Sequence, residues 1–378
     1  LQPIGLTGKG SLDIEKAVFA SQLFYFDAMA FNSDTTAFSL KSIDKSEFTL
    51  LGSNLNVKVN LTNQLGKFKS NSCFTVVDFP KNLYKSYLDR FEWKINLDEV
   101  HIESDPQSDS TTCPDINQLN KLRDDKLPGA LYLSYHRGQD SLRFSSKKAI
   151  FKVADNSIFA SEVEYIKVAD ASIFPKDKDV TIGLTAEMST LNKSEVIANN
   201  QTRYHKIFDS KINIRGRKSY AGIGDYNYID ENKNIQVIHF TDIHVDTTLQ
   251  TIAIGKIVAD DNFTLSPVYA YQGDVQLNAA QKYLTFKGGV QLKQDCEKLP
   301  KELAMFEAQI NPDTIYIPVT ENTKSLYGRG LFAASFITKD SSHIYSSFLT
   351  RRRDPNDEAL VRATGFLYYN KNADKYII

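Results

Sequence analysis

The chain has 378 residues, 42% of them hydrophobic and 24% charged, which is enough apolar mass for a large buried core and excludes a disordered polypeptide. Lys and Arg (45) nearly balance Asp and Glu (46), so no whole-chain basic field exists to hold nucleic acid, and nucleic-acid partners are not expected. Cys73, Cys113 and Cys296 are too few and too scattered for a disulfide framework or a clustered thiolate zinc site, and they allow at most one bridge, which spacing does not choose.

The N-terminal stretch carries Gly5, Gly8 and Gly10 and then LDIEKAVFASQLFYF, whose aromatic and β-branched content predicts strand. Leu55, Val57, Val59 and Leu61 alternate cleanly. After Lys67-Phe68-Lys69 and CFTVVDFP, the residues Leu83, Tyr87, Leu88 and Phe91 recur at helical spacing behind Pro80, which predicts a short helix capping an open sheet end. Trp93, the only tryptophan, begins the next strand. Residues 104–128 are polar, hold three prolines and end at the Pro128-Gly129 turn, which predicts a linker or loop.

Short alternating runs resume at Leu131 and Leu133, Leu142 and Phe144, Phe151 and Val153, then Ile158 and Ala160, with Asp155-Asn156 as a turn between the last two. Tyr226 and Tyr228 alternate, as do Ile243 and Val245. The clearest pattern lies in 251–293. Tyr269, Tyr271, Val275 and Leu277 share one parity around Gly273, and Leu284, Phe286, Val290 and Leu292 repeat it after Asn278-Ala279-Ala280-Gln281. PKELAMFEAQ predicts another short helix, and Pro318 predicts an edge or a strand end.

Strands recurring with turn signals every 8–12 residues or so predict an all-β chain. The expected architecture is elongated stacked sheets, as a β-solenoid, a β-jellyroll-like fold or a sandwich, with a few short helices. Expected modules are 1–104, a linker or loop at 105–129, 130–293, and 294–378. No run of about 20 apolar residues exists to make a transmembrane helix.

Few residues suggest chemistry. Asp242, His244 and Asp246 are spaced by two, which on a strand puts two carboxylates and an imidazole on one face, a set able to meet a divalent ion. The same spacing makes an ordinary polar face opposite Ile243 and Val245, and no metal is assigned; His239 has the other parity and joins them only across a bulge. Asp225, Asp230 and Glu231 beside Tyr226 and Tyr228 have the composition of a sugar cleft, and equally that of a turn. GRKSYAGIG, from Gly216 to Gly224, does not match a dinucleotide fingerprint, and the chain holds no nucleophile elbow, phosphate loop, zinc-protease helix or C-x-x-C. No catalytic residue and no cofactor is expected. Arg351-Arg352-Arg353 is followed at once by Asp354, Asp357 and Glu358 and reads as a neutralised turn.

LRFSSKKAIFKVADNSIFASEVEYIKVADASIFPKDKDVTI, TRYHKIFDSKINIRGRKSYAGIGDYNYID and FTLSPVYAYQGDVQLNAAQKYLTFKGGVQL resemble segments of very large, β-rich exported proteins of Bacteroidota. The pattern at Asn156, Ile158, Ala160 and Val163 is similar to the β-jellyroll repeats of periplasmic proteins that carry lipopolysaccharide to the outer membrane. The tripeptides beginning at Asp34, Asp109, Asp140, Asp246 and Asp313 resemble the acceptor motif for O-glycosylation of exported proteins in that group. The resemblance implies a periplasmic, outer-membrane-associated or secreted location, with envelope proteins, lipid or glycan as partners. A chain that starts at Leu1 and ends Lys-Tyr-Ile-Ile is expected to be part of a longer polypeptide or a mature product without its signal.

The expected function is a non-catalytic cell-envelope module serving structure, assembly or carriage of an amphipathic ligand. In the carriage form, Tyr269, Tyr271, Val275, Leu277, Leu284 and Phe286 line an open apolar groove. The competing expectation is a carbohydrate-binding or carbohydrate-cleaving β-helix protein, with an exposed aromatic groove and a close pair of carboxylates.

Overall fold

Side chains that alternate in polarity need a sheet to separate them, and strands take 59% of the chain against 4% for helices. The computed structural model describes residues 5–106, 116–293 and 301–378. The fold is all-β, as expected, and its antiparallel sheets curl into half-barrels of sandwich or jellyroll-like type. Two compact units form, Leu1–Asn200 with Asp209–Ala221, and Gln201–Phe208 with Gly222–Ile378. The division falls inside the strands His205–Gly216 and Ser219–Ile229, and the segment expected as a linker at 105–129 belongs to the first unit.

In the first unit Leu6–Ile14, Ala17–Asp27, Ala30–Lys41 and Phe48–Asn60 pair in sequence order. From Phe48–Asn60 the sheet extends one way through Thr75–Phe79, Tyr84–Leu88, Ala130–Ser134 and Arg143–Ser146. The other way it runs through Leu65–Ser70, Arg90–Lys94, Glu99–Glu103, Lys148–Lys152, Ser157–Ser161 and Val180–Ile182. Asp155-Asn156 makes the expected turn in the hairpin of Lys148–Lys152 with Ser157–Ser161, with Asn156 at φ 52°. The inward faces meet in an aromatic core. Phe68 and Phe91, cross-strand partners, stack with centroids 4.4 Å apart and planes 7° apart, and Phe38 lies 4.4 Å from Phe68. Such ring pairs add about 0.5–1.5 kcal/mol each beyond the area they bury.

Two expectations are corrected. The helix expected through Leu83, Tyr87, Leu88 and Phe91 is two strands, Tyr84–Leu88 and Arg90–Lys94. The inward set is Tyr84, Ser86 and Leu88, and a fully buried serine hides its period-two signal from a hydrophobicity reading. The helix expected in PKELAMFEAQ is a strand, Ala304–Gln309, because Ala304 and Phe306 turn inward and the ladder of Thr285–Leu292 takes its backbone groups; Pro300 of that motif lies outside the described residues. The polar stretch at 105–129 holds the helix Ile116–Leu122, pinned by fully buried Ile116 and Leu119 against Leu131; its residues 107–115 lie outside the described residues.

In the second unit Ile235–Val245, Thr251–Ile257, Tyr269–Asn278, Thr285–Leu292 and Ala304–Gln309 form an antiparallel ladder in that order. Two three-stranded sheets follow. Pro318 sits in Ile317–Val319 at the edge of one of them, where its missing N–H breaks no ladder. The arginine run is held by its surroundings: Arg351 pairs with Glu302 at 2.5 Å, and the Arg353 guanidinium lies 4.4 Å over the Tyr345 ring, whose hydroxyl donates to Asp357 at 2.5 Å. No described helix is long and apolar enough to cross a membrane.

Candidate functional site: a cation-lined groove on the first unit

Val57 and Val59, Phe68, Phe91 and Trp93, Val100 and Phe151 face inward on consecutive strands, so the residues between them face out. The register carries one outward row across six strands, from Lys58 to Lys67, Glu92, His101, Ile150 and Phe159. A flanking row runs from Asn56 to Lys69 and Arg90. A groove of about 820 Å³ lies on this face.

Seven Lys or Arg side chains line the groove against four Asp or Glu, a local excess of three positive charges (7 − 4) on a chain whose formal net charge is −1. Part of the charge is paired. Glu92 receives Lys94 at 3.1 Å and Lys67 at 3.4 Å, and Lys148 meets Glu162 at 2.9 Å. Burial pushes the Glu92 carboxyl up, but the Lys94 hydrogen bond and the charges of Lys94 and Lys67 outweigh it and hold the group below the ordinary range. The hydrogen bond from Lys148 lowers Glu162 in the same way. The ammonium groups of Lys58 and Lys69 have no ion-pair partner among the described residues, and Arg90 contacts only its neighbour Asp89, at 3.2 Å. The groove thus presents donors fixed in a grid to an anion, and carboxylates that accept hydrogen bonds from hydroxyls.

The residues singled out from sequence go elsewhere. A β-bulge between Phe240 and Asp242 shifts the parity of Ile235–Val245, so His239, Asp242 and His244 all turn away from the buried Phe240 and Ile243. His244 Nδ1 lies 3.2 Å from Asp242, while His239 Nδ1 pairs with Asp225 at 2.7 Å. Asp246 lies past the strand end and serves its turn, accepting from Thr248 N at 2.8 Å and Gln250 N at 2.9 Å. Among the described residues no group of three or more His, Cys, Asp or Glu gathers to hold a metal.

Asp230, 2% exposed, accepts the backbone N–H groups of Asn232 and Asn234 at 2.8 and 2.9 Å, and Glu231 pairs with Lys371 at 2.8 Å. Tyr228 is buried and donates to the Leu265 carbonyl at 2.9 Å. The acids and aromatics of this stretch therefore build a turn and a core, not a cleft. Tyr269, Tyr271, Val275, Leu277, Leu284 and Phe286 are each at most 4% exposed, and Tyr271 meets Phe286 edge to face at 5.0 Å, so this set forms closed packing.

No protein-family model, no curated protein and no solved structure matches the chain.

Sequence reasoning missed the groove. The polar parity of 56–69 and 90–103 is visible in the sequence, but those residues become one surface only through the strand order. Cys73 is disulfide-bonded; Cys113 and Cys296 lie outside the described residues. Of the Asp-Ser/Thr tripeptides, Thr35, Ser141, Thr247 and Thr314 are exposed, and Asp109-Ser110-Thr111 lies outside the described residues.

Proposed function

We propose that the chain is a non-catalytic module of an exported cell-envelope protein and that it works as a binding surface in structure or assembly. The observation that carries export is the disulfide at Cys73, because such bonds persist in oxidising compartments and are reduced in the cytosol. Support for binding over chemistry comes from the occupied acids: Asp230, Glu231 and Asp246 each serve a turn or an ion pair. Binding in place of core carriage follows from the closed packing around Tyr271 and Phe286.

The test is to block free thiols in the cells that make the protein before lysis, then map labelled cysteines by mass spectrometry. One labelled cysteine of the three and an unlabelled Cys73 are expected. Labelling of Cys73 in most molecules overturns the export reading. Carbohydrate binding is the second reading, favoured by the mixed cations and carboxylates of the groove.

A further inference from the structure

We propose that the groove on the first unit binds an acidic oligosaccharide, a sugar chain bearing carboxylates or sulfates. The inference rests on reading the chain as a binding module and names the ligand class of that surface.

Three features select this chemistry. The first is the excess of cations laid out by the register. Lys58 and Lys67 stand opposite each other on adjacent strands, as do Lys69 and Arg90 in the flanking row. Neighbouring strands lie about 4.8 Å apart and like-facing residues along a strand about 6.8 Å apart, so the charges form a lattice that meets a repeating anion. Lys67 and Arg90, each 62% exposed, hold only surface pairs, with Glu92 at 3.4 Å and Asp89 at 3.2 Å, which are weak enough for an incoming anion to displace.

The second feature is the carboxylates among them, Glu92, Glu103, Asp105 and Glu162. Contiguous phosphodiesters leave the carboxylates of such a surface without a partner and meet them as like charges, which offsets part of the attraction to the cations. A ligand that alternates anions with hydroxyls uses both signs, the anions on Lys and Arg and the hydroxyls donating to the acids. The third feature is length. The groove's lining runs from Lys58 through Lys67, Glu92 and His101 to Lys148 on the next strand, four strand spacings or about 19 Å, which is room for several sugar rings. Phe159, 37% exposed, stands one strand beyond that lining, where its ring face suits the apolar face of a sugar that overhangs the groove. Nucleic acid is disfavoured, because single-strand binders interleave several exposed aromatics with their cations, and this row has one.

The test is titration calorimetry of the full chain against oligogalacturonate, a sulfated oligosaccharide, a neutral glucan of equal length, inorganic polyphosphate and single-stranded DNA. The double variant Lys69→Glu/Arg90→Glu changes the groove. Lys211→Glu/Arg215→Glu makes the same charge change at exposed positions outside it. Binding of at least one acidic oligosaccharide, absent for the glucan and weakened by salt, is expected. The groove variant loses about tenfold in affinity and the control variant little, since reversal replaces two attractive contacts with repulsive ones only in the groove. If charge reversal disturbs folding, Lys69→Gln/Arg90→Gln removes the cations without adding repulsion and shows a smaller loss in the same direction.

Equal loss in both double variants overturns the proposal, as does equal affinity for the glucan. So does binding of polyphosphate or DNA as tight as that of the sugars, or no binding of either acidic sugar. None of these results alters the thiol map, so the ligand class and the export reading fail separately.

Discussion

Gly273 and Gly288 stand opposite each other on neighbouring strands, and the Tyr271 hydroxyl lies 2.7 Å from the place where either would carry a Cβ. The ring folds over the gap between the two glycines and donates to the Asp274 carbonyl at 2.7 Å. Gly273 holds φ +146°, which an L side chain rarely adopts, and a Cβ on Gly288 meets the Gln272 carbonyl oxygen at 2.4 Å. Gly288→Ala is expected to cost about 1–3 kcal/mol in urea unfolding, the usual range for overpacking. Tyr271→Phe in the same chain does not restore it, because the backbone oxygen remains in the way. Full rescue by Tyr271→Phe places the strain on the hydroxyl alone.

Phe68 carries the aromatic core of the first unit, 4.4 Å from both Phe38 and Phe91. Phe68→Ala is expected to cost about 3–5 kcal/mol, from lost transfer energy and the cavity left behind. Lys69→Ala, one residue on and facing out, stays within about 0.5 kcal/mol. Chemical denaturation of both variants checks the parity directly; similar losses at the two positions contradict it.

Asp124 is gripped by Arg217 through two bonds of 2.8 Å, with Arg143 at 3.4 Å. The carboxylate is 11% exposed, while Arg217 and Arg143 keep 24% and 22%. Asp124→Ala is expected to cost about 2 kcal/mol, less than the 3–5 kcal/mol of a fully buried pair because both guanidinium groups still reach water. Arg217→Lys is expected to lose most of the same amount, since an ammonium does not make the paired contact. A thermal melt in which Arg217→Lys matches the parent chain rules out the bidentate geometry as the source.

His205 is fully buried, with Nε2 2.6 Å from the Gln281 carbonyl and Nδ1 3.2 Å from the Tyr226 hydroxyl. The carbonyl only accepts, so the neutral ring carries its proton on Nε2, and the Tyr226 hydroxyl donates to Nδ1. Burial lowers the pKa below 6.5, more than the Gln281 bond raises it. The unfolded chain therefore takes the proton first as pH falls. Stability is full above about 6.5 and declines from there down to the depressed folded value. Depressed carboxyls such as Glu92 and Asp230 lose their contribution only in a more acid range, below their ordinary values of 4.5 and 3.8. Unfolding free energies at pH 7.5 and 5.5 are expected to differ more for the parent than for His205→Gln. Parallel lines for the two proteins dispose of the burial argument.

How much of this was legible depends on what each signal encodes. The alternation at Tyr269, Tyr271, Val275, Leu277, Leu284 and Phe286 gave the strands, their inward face and the turn between them, because a strand's side-chain period is a local property. The same reasoning failed at Tyr84–Leu88, where an inward serine breaks the apolar pattern, and at Ala304–Gln309, where a sheet edge overrides helix propensity. At Asp242 and His244 the spacing was right, but one bulge, invisible in composition, brought His239 round to their face, and Asp246 lay past the strand end.

By itself the sequence determined the class of fold, the inward face of the strands whose alternation is unbroken and the lack of a recognisable catalytic motif, all of which are read from residues within a few positions of each other. Only the tertiary structure decided that Lys58, Lys67, Lys69 and Arg90 share one surface with Glu92 and His101. It also decided that the tyrosines near Gly273 close a core instead of lining a groove. Both outcomes depend on which strands become neighbours, and that is set by the free energy of packing the whole inward face, a quantity no single stretch of the chain contains.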